Sequence, residues 1–337
     1  MRSYAPDFRL EETSAILTAI ARAKSVSVIG TASIGKSNFV QHLLARLTAV
    51  DSPRPVLPVL LDANLLPVMT DDESVRCWAG HELIMHRLYV SAYPFTMLDA
   101  DAEILFQTYQ RLQDGRNPLY AHMGVRYLEL ALKLFFHRDH HIVLIFDEFE
   151  SFMQMMPPQF FLHLRGLRDM HKSHLSYITF SRTTLPRLCT RYQLDTDTLE
   201  PFTELFNDSQ MSLGPYTFRD AQSMLQTIPN AHYIYSITGG FAGLMRAVVE
   251  ALRSSKLAPS EHTPLSALIK HRGVAAECEI LVRALDVDER EVFRRIRHGA
   301  ALSRSEVVDL LINKRLLDDN LQIQPPLLAE YLTSYDL

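Results

Sequence analysis

The sequence predicts an α/β fold, a parallel β-sheet covered by helices, and three strand ends predict it. The apolar run 26–29 leads into Gly30-Thr-Ala-Ser-Ile-Gly35-Lys36-Ser37 and then into a helical pattern from Asn38. A second run, 142–146, ends in Asp147-Glu148, and a third, 177–180, ends in Ser181-Arg182. Continuously apolar runs mark strands buried on both faces of a parallel sheet, and ligand chemistry collects at the carboxyl ends of such strands.

The first junction fits the pattern G-x-x-x-x-G-K-[ST] in its strand-loop-helix context. Glycines are needed because the backbone must curl closely enough for successive N–H groups to point inward, beside the positive end of a helix. Gly30, Thr31, Ala32, Ser33, Ile34, Gly35, Lys36, Ser37 and Asn38 are therefore the candidate nucleotide cradle. Lys36 offers a compact charge to the outer phosphates, and the Ser37 hydroxyl is a hard oxygen ligand for Mg²⁺. The alternative is a Gly/Ser-rich turn between a strand and a helix.

The second junction reads as a Walker B strand. Asp147 is the other expected Mg²⁺ ligand, and Glu148 the base that polarises the water attacking a γ-phosphate. At the third junction, Arg182 is placed to read that phosphate by a charge-assisted contact, on the order of 4 kcal/mol at an effective dielectric near 20 before desolvation. The alternatives are the polar edge of a buried strand for Asp147 and Glu148, and a solvated loop cation for Arg182.

The other elements follow in order. Apolar spacing predicts a helix over 10–23 and a strand over 25–29, and a helix runs from 38 to 47. Residues 56–61 read as a strand placed at the sheet edge by Pro55 and Pro58. Residues 71–136 are a helical insertion with patterns at 82–89, 102–112 and 125–136, broken at Tyr93-Pro94 and Asp114-Gly115. Pro157-Pro158 opens a helix over 159–172, because proline is tolerated in a first turn. Arg165 and Arg168 on that helix, and Arg187 and Arg191 after the third strand, are candidates for action across a subunit boundary. Gly214-Pro215 marks the first composition break. Helices over 218–227, 231–237 and 244–254 form a small lid carrying Arg246, which is placed to reach the nucleotide. A linker spans 259–264. Beyond it come helices, one opened by a Ser303/Glu306 capping box, and a stretch of strand character over 315–323.

Taken together, GTASIGKS, IVLIFDEFE and ITFSR, followed by Glu204-Leu-Phe-Asn, Leu213-Gly-Pro-Tyr and Ile237-Thr-Gly-Gly, resemble the bacterial STAND ATPases, signal-transducing relatives of AAA+ and origin-recognition ATPases. The resemblance implies a P-loop NTPase core with a helical lid and a C-terminal winged-helix domain, divided as 1–213, 214–262 and 263–337. It also implies that Arg182 contacts the terminal phosphate. The segment 236–244 is similar to the family's Gly-Gly-x-Pro-x-Leu lid helix start, with Ala242 where proline is usual. ATP/ADP is expected rather than a guanine nucleotide, as no Asn-Lys-x-Asp motif is present.

Composition narrows the class. The chain has 337 residues, 47% hydrophobic and 22% charged, which is the profile of an ordinary globular protein with neither a disordered composition nor a spanning segment. The N-terminal residues lack an apolar h-region, so no secretory signal is read. Three widely spaced cysteines show neither metal spacing nor a disulfide framework, and a reducing cytoplasm is the expected location. The fourteen histidines show no metal-ligand spacing. A net charge of -5 disfavours nucleic acid as a partner, although a local patch is compatible with it. The arginines at 290–297 are interleaved with Glu289 and Glu291, the pattern of a solvated helix face.

These readings converge on a Mg²⁺-dependent ATP-binding and ATP-hydrolysing switch, slow or partner-stimulated, with a separate protein or self-assembly as partner. The alternatives are a DNA-acting ATPase, a loader or transposition regulator, and a scaffold holding ATP as a structural ligand.

Overall fold

The computed structural model describes residues 4–50, 54–67, 70–93, 99–114, 119–226, 228–254 and 264–335. The breaks expected at Pro94 and Gly115, and residues 259–263 of the expected linker, lie outside these.

In chain order, α1 (Leu10–Ala21) precedes β1 (Val26–Ile29), α2 (Lys36–Thr48) and β2 (Val56–Asp62). The insertion supplies α3 (Glu73–Ala92), α4 (Asp99–Gln113) and α5 (Tyr120–Phe136). Then come β3 (His141–Asp147), α6 (Phe149–Met155), α7 (Pro158–Met170), β4 (Leu175–Ser181), α8 (Leu185–Arg191), α9 (Thr196–Thr203) and β5 (Gln210–Ser212). The remainder is helical: α10 (Phe218–Leu225), α11 (Ala231–Thr238), α12 (Ala242–Ser254), α13 (Leu265–Leu268), α14 (Arg272–Ala284), α15 (Val287–Arg297), α16 (Glu306–Asn313) and α17 (Pro326–Ser334).

Among the described residues the five strands form one sheet in the order β2-β3-β4-β1-β5. β2 pairs with β3 and β3 with β4, both parallel. β3 up to Phe146 and all of β4 are buried, as their apolar sequences require, while β2 alternates buried and half-buried residues. That alternation, with Pro58 in its middle, fits the edge position β2 occupies. The chain leaves β1 for the far edge and returns through β3 and β4 to β1's side, so the strand order reverses at β1, where open α/β sheets bind ligands.

By contact the chain forms two units. The first joins Met1–Leu10, Ile29–His42 and Ser212–Leu337; the second joins Glu11–Val28 and Leu43–Met211. The second has a core from β2, β3, β4 and α3 to α9, rich in phenylalanine. The first packs Phe8, Tyr216, Ile234, Met245, Val248 and Leu327 into its own cluster.

Local chemistry sets the helix ends. Asp72 caps α3 through the N–H groups of Ser74 and Val75, and capping boxes open α10 (Thr217 with Asp220) and α15 (Asp286 with Glu289). The box expected at Ser303 is not formed. α16 starts at Glu306, and its cap is Ser305, whose Oγ accepts from Val308 N at 3.3 Å. The expected strand over 315–323 reduces to one antiparallel bridge, Leu317 to Ile323. Asp318 Oδ1 accepts from the N–H groups of Asn320 and Gln322, a local turn that competes with longer pairing. β5, α6, α8, α9 and α17 are not anticipated by periodicity, because each is too short or too mixed to show it.

Candidate functional site

In the first unit the loop after β1 is shaped by burial and backbone. Leu213 N donates to Ile29 O at 2.7 Å, fixing the loop's origin. Ile34 is fully buried and anchors the loop's middle. Ser33 and Gly35 both have positive φ, 61° and 87°. At Gly35 a Cβ would also collide with the Tyr216 phenol, so only glycine fits. Lys36 is the first residue of α2, and its Nζ donates to Gly30 O at 2.7 Å, drawing the ammonium across the loop. Ser37 is exposed beside it, and Asn38 Nδ2 donates to Tyr216 Oη at 2.9 Å.

Several residues at this loop escape sequence reading. Arg9 is almost wholly buried; its Nη2 donates to Ile34 O at 2.8 Å, and its guanidinium lies over the rings of Tyr216 (4.8 Å) and Phe39 (5.8 Å). A cavity of about 390 Å³ is lined by Tyr4, Phe8, Asn38, Tyr216, Asp220 and Met224. Its aromatic walls, with Tyr4 stacked on Phe8 at 4.7 Å and Phe8 edge-on to Tyr216 at 5.3 Å, suit a planar heterocycle, and the amide and carboxylate offer hydrogen bonds. Burial holds the Tyr216 phenol above its ordinary pKa, protonated and able to donate. These residues come from three separate stretches of sequence, and their visible signals are the aromatic pair Tyr4 and Phe8 ahead of α1 and the tyrosine of Leu213-Gly-Pro-Tyr.

The start of α12 also meets the loop: Gly243 N donates to Ser33 O at 2.9 Å. Arg246 lies three residues further along this helix and is exposed. From α14, Glu277 reaches the same residue, with Ser33 Oγ donating to Glu277 Oε2 at 2.5 Å.

The second unit holds the two other predicted junctions. The β2/β3 register sets Asp62 opposite Asp147, aligning two carboxylates at the strand ends. Asp147 Oδ1 accepts from Glu148 N at 3.0 Å. Glu148 adopts φ 49°, ψ 51°, a left-handed conformation that costs a non-glycine residue about 1 kcal/mol or more. The packing beneath explains it. Phe146 before the turn meets Phe149 and Phe152 after it, at 5.6 and 5.2 Å, so the chain must reverse within two residues. Past β4, Arg182 Nε lies 3.1 Å from Oε1 of the buried Glu150, and Ser181 Oγ donates to Thr183 O at 2.7 Å. Glu150 is a partner for Arg182 that the sequence, read motif by motif, did not single out.

The other arginines have structural partners. Arg165 pairs with Asp169 (2.7 Å) and Glu204 (3.6 Å), Arg168 donates to Ala23 O, and Arg191 lies over the Tyr192 ring at 5.8 Å. On α15, Arg294 pairs with Glu291 and Arg290 donates to its own helix's first carbonyl, Asp286 O, as a solvated face predicts. Among the described residues no group of three or more metal-binding side chains forms from His, Cys, Asp and Glu, and no helix is long and apolar enough to cross a membrane. The three cysteines are buried and free, and burial pushes Cys77 up to about 11 and Cys278 up to about 12, keeping both thiols protonated.

No family model matches the chain, and no curated protein matches it. Solved structures share its architecture, two of them with a TM-score above 0.5 over nearly the whole chain. The ORC2 protein of Aeropyrum pernix, solved as ADPNP-ADP complexes, has a TM-score of 0.52 at 14% identity, covering 99% of this chain and 87% of that one. A Walker-type ATPase of Pyrococcus abyssi has a TM-score of 0.54 at 14% identity, covering 96% of this chain and 95% of that one. At this identity the likeness shows the fold alone: the chain has the α/β P-loop NTPase fold of these two structures.

Proposed function

We propose that the chain is an ATP-binding, Mg²⁺-dependent ATP-hydrolysing switch of the STAND type, with the winged-helix reading kept for residues 263–337 and the lid for 214–262. The observation that carries this is the loop itself. Gly35, with φ 87° and no room for a side chain, stands immediately before a lysine that opens a helix, a cradle built for a polyanion.

The residues divide the work as follows. Backbone N–H groups of the loop wrap the phosphates, and the Lys36 ammonium exchanges its contact with Gly30 O for phosphate oxygens, a stronger charge-assisted partner. The aromatic cavity beside Asn38 and Tyr216 takes the adenine ring. Ser37, exposed at the helix start, and Asp147, at a strand end beside Asp62, are hard-oxygen donors of the kind Mg²⁺ takes. Magnesium, when bound, neutralises phosphate charge and orients the terminal group. Glu148, in the left-handed turn that ends β3, accepts the proton of the attacking water. Arg182 exchanges Glu150 for the γ-phosphate, and Arg246 contacts nucleotide from the lid side. Arg182 must therefore leave a carboxylate partner to reach phosphate, which suits a switch more than a constitutive hydrolase.

The test separates binding from turnover. Glu148→Gln is expected to bind ATP within about threefold of wild type while phosphate release falls by a factor of about 100 or more, the range for a positioned base. Equal release rates would remove Glu148 from the mechanism.

A further inference from the structure

Ser33 lies in the middle of the phosphate loop, yet its hydroxyl is turned to a carboxylate from a distant part of the chain. Its Oγ donates to Glu277 Oε2 at 2.5 Å, across 244 positions of sequence. Two features make room for this contact. α14 is seated by buried Val274, Cys278 and Leu281, which fixes the rotation that presents Glu277. α12 carries glycine at 243, where a Cβ would collide with Glu277 Oε2 and come within 2.9 Å of Ser33 Cβ. Gly243 N also donates to Ser33 O, so loop, α12 and α14 meet at one residue. Among the described residues no lysine or arginine pairs with Glu277. A half-buried carboxylate without a cation thus stands against a loop built to attract negative charge.

We propose that Glu277 is an internal antagonist of the phosphate loop: it holds α14 to the loop through Ser33, and its charge opposes the phosphates, so that nucleotide entry and α14 docking work against each other. This rests on the reading that the loop binds nucleoside phosphates, and it adds the element that answers to occupancy. A polyphosphate in the loop brings negative charge close to a carboxylate of the same sign in a partly desolvated setting, where repulsion is only weakly screened. The relief is release of Glu277, which frees α14 from its contact with the loop. By linkage, any partner that draws α14 away raises nucleotide affinity by the same factor that nucleotide loosens α14.

The experiment uses the full chain and two readouts. In calorimetric titrations with Mg²⁺ present, Glu277→Gln, which keeps shape and removes charge, is expected to bind ATP about tenfold more tightly than wild type and adenosine equally well. In wild type, hydrogen exchange of the amides of Arg272–Ala284 is expected to speed up several-fold on addition of ATP. If wild type binds ATP and Glu277→Gln binds it no better, or binds adenosine better by the same factor, the antagonist role is wrong while nucleotide binding stands. Unchanged exchange in α14 with ATP bound overturns the coupling, and does so without reliance on any variant. Absence of ATP binding in both proteins overturns this inference together with the function beneath it.

Discussion

Arg182 shows how much a single residue's surroundings add to a motif. Its place after the third apolar run marked it as a phosphate sensor, and the structure adds the buried Glu150 as its partner at 3.1 Å. Removing the arginine leaves that carboxylate without its cation. Arg182→Ala is expected to cost about 1–2 kcal/mol in denaturant melts, less than for a fully buried pair because the arginine side chain is 42% exposed. Adding Glu150→Gln to it is expected to restore most of that loss. A double variant no more stable than Arg182→Ala would show that the pair is incidental. At this scale the sequence was most legible where chemistry restricts residue choice: Gly35, Lys36, Asp147 and Glu148 are each placed at a strand or helix end. It was silent on Arg9 and Glu277, whose contacts are with tertiary neighbours rather than in a local pattern, and it showed Tyr216 only within Leu213-Gly-Pro-Tyr.

At the scale of elements, the three long helices of the insertion were visible as apolar periodicity, and the structure extends each of them. For α3 the extension follows from the Asp72 cap, which lies outside the apolar pattern. The insertion also buries a titratable group. His81 on α3 is fully enclosed against Phe160 and His163, with neither ring nitrogen hydrogen-bonded among the described residues. Burial, and secondarily the neighbouring His163, holds it down at about 3. The folded state therefore keeps His81 neutral, whereas the unfolded chain protonates it below about 6.5. Its stability contribution is intact above that pH and declines as pH falls toward 3, at up to about 1.4 kcal/mol per unit. His141 on β3, held at about 4 chiefly by burial, acts in the same direction. Between pH 7.5 and 5, His81→Leu is expected to lose about 2 kcal/mol less than wild type in urea titrations. Parallel pH profiles for the two proteins would contradict this.

For the molecule as a whole, the α/β class was legible because three continuously apolar runs mark buried strands, whereas the full strand order β2-β3-β4-β1-β5 comes from the structure. The fifth strand was not legible, since Gln210–Ser212 is three residues long with only Met211 apolar. The competing account is a DNA-acting ATPase. Charge weighs against it: the chain carries -5, and α16, the helix placed to enter a groove in a winged-helix reading, has Glu306 and Asp309 in its first turn. Duplex DNA is expected to bind more weakly than about 10 µM at 150 mM salt in fluorescence anisotropy. Tight binding with a steep salt slope would transfer the function to the DNA-acting reading.

The central claim is the phosphate cradle, and a calorimetric titration of Mg²⁺ and ATP into the purified chain tests it most directly, with Lys36→Ala alongside. The account predicts saturable binding at one site per chain, weakened about 100-fold in Lys36→Ala, the scale of a lost charge-assisted contact. No heat and no rise in melting temperature with any adenine or guanine nucleotide plus Mg²⁺ would contradict it.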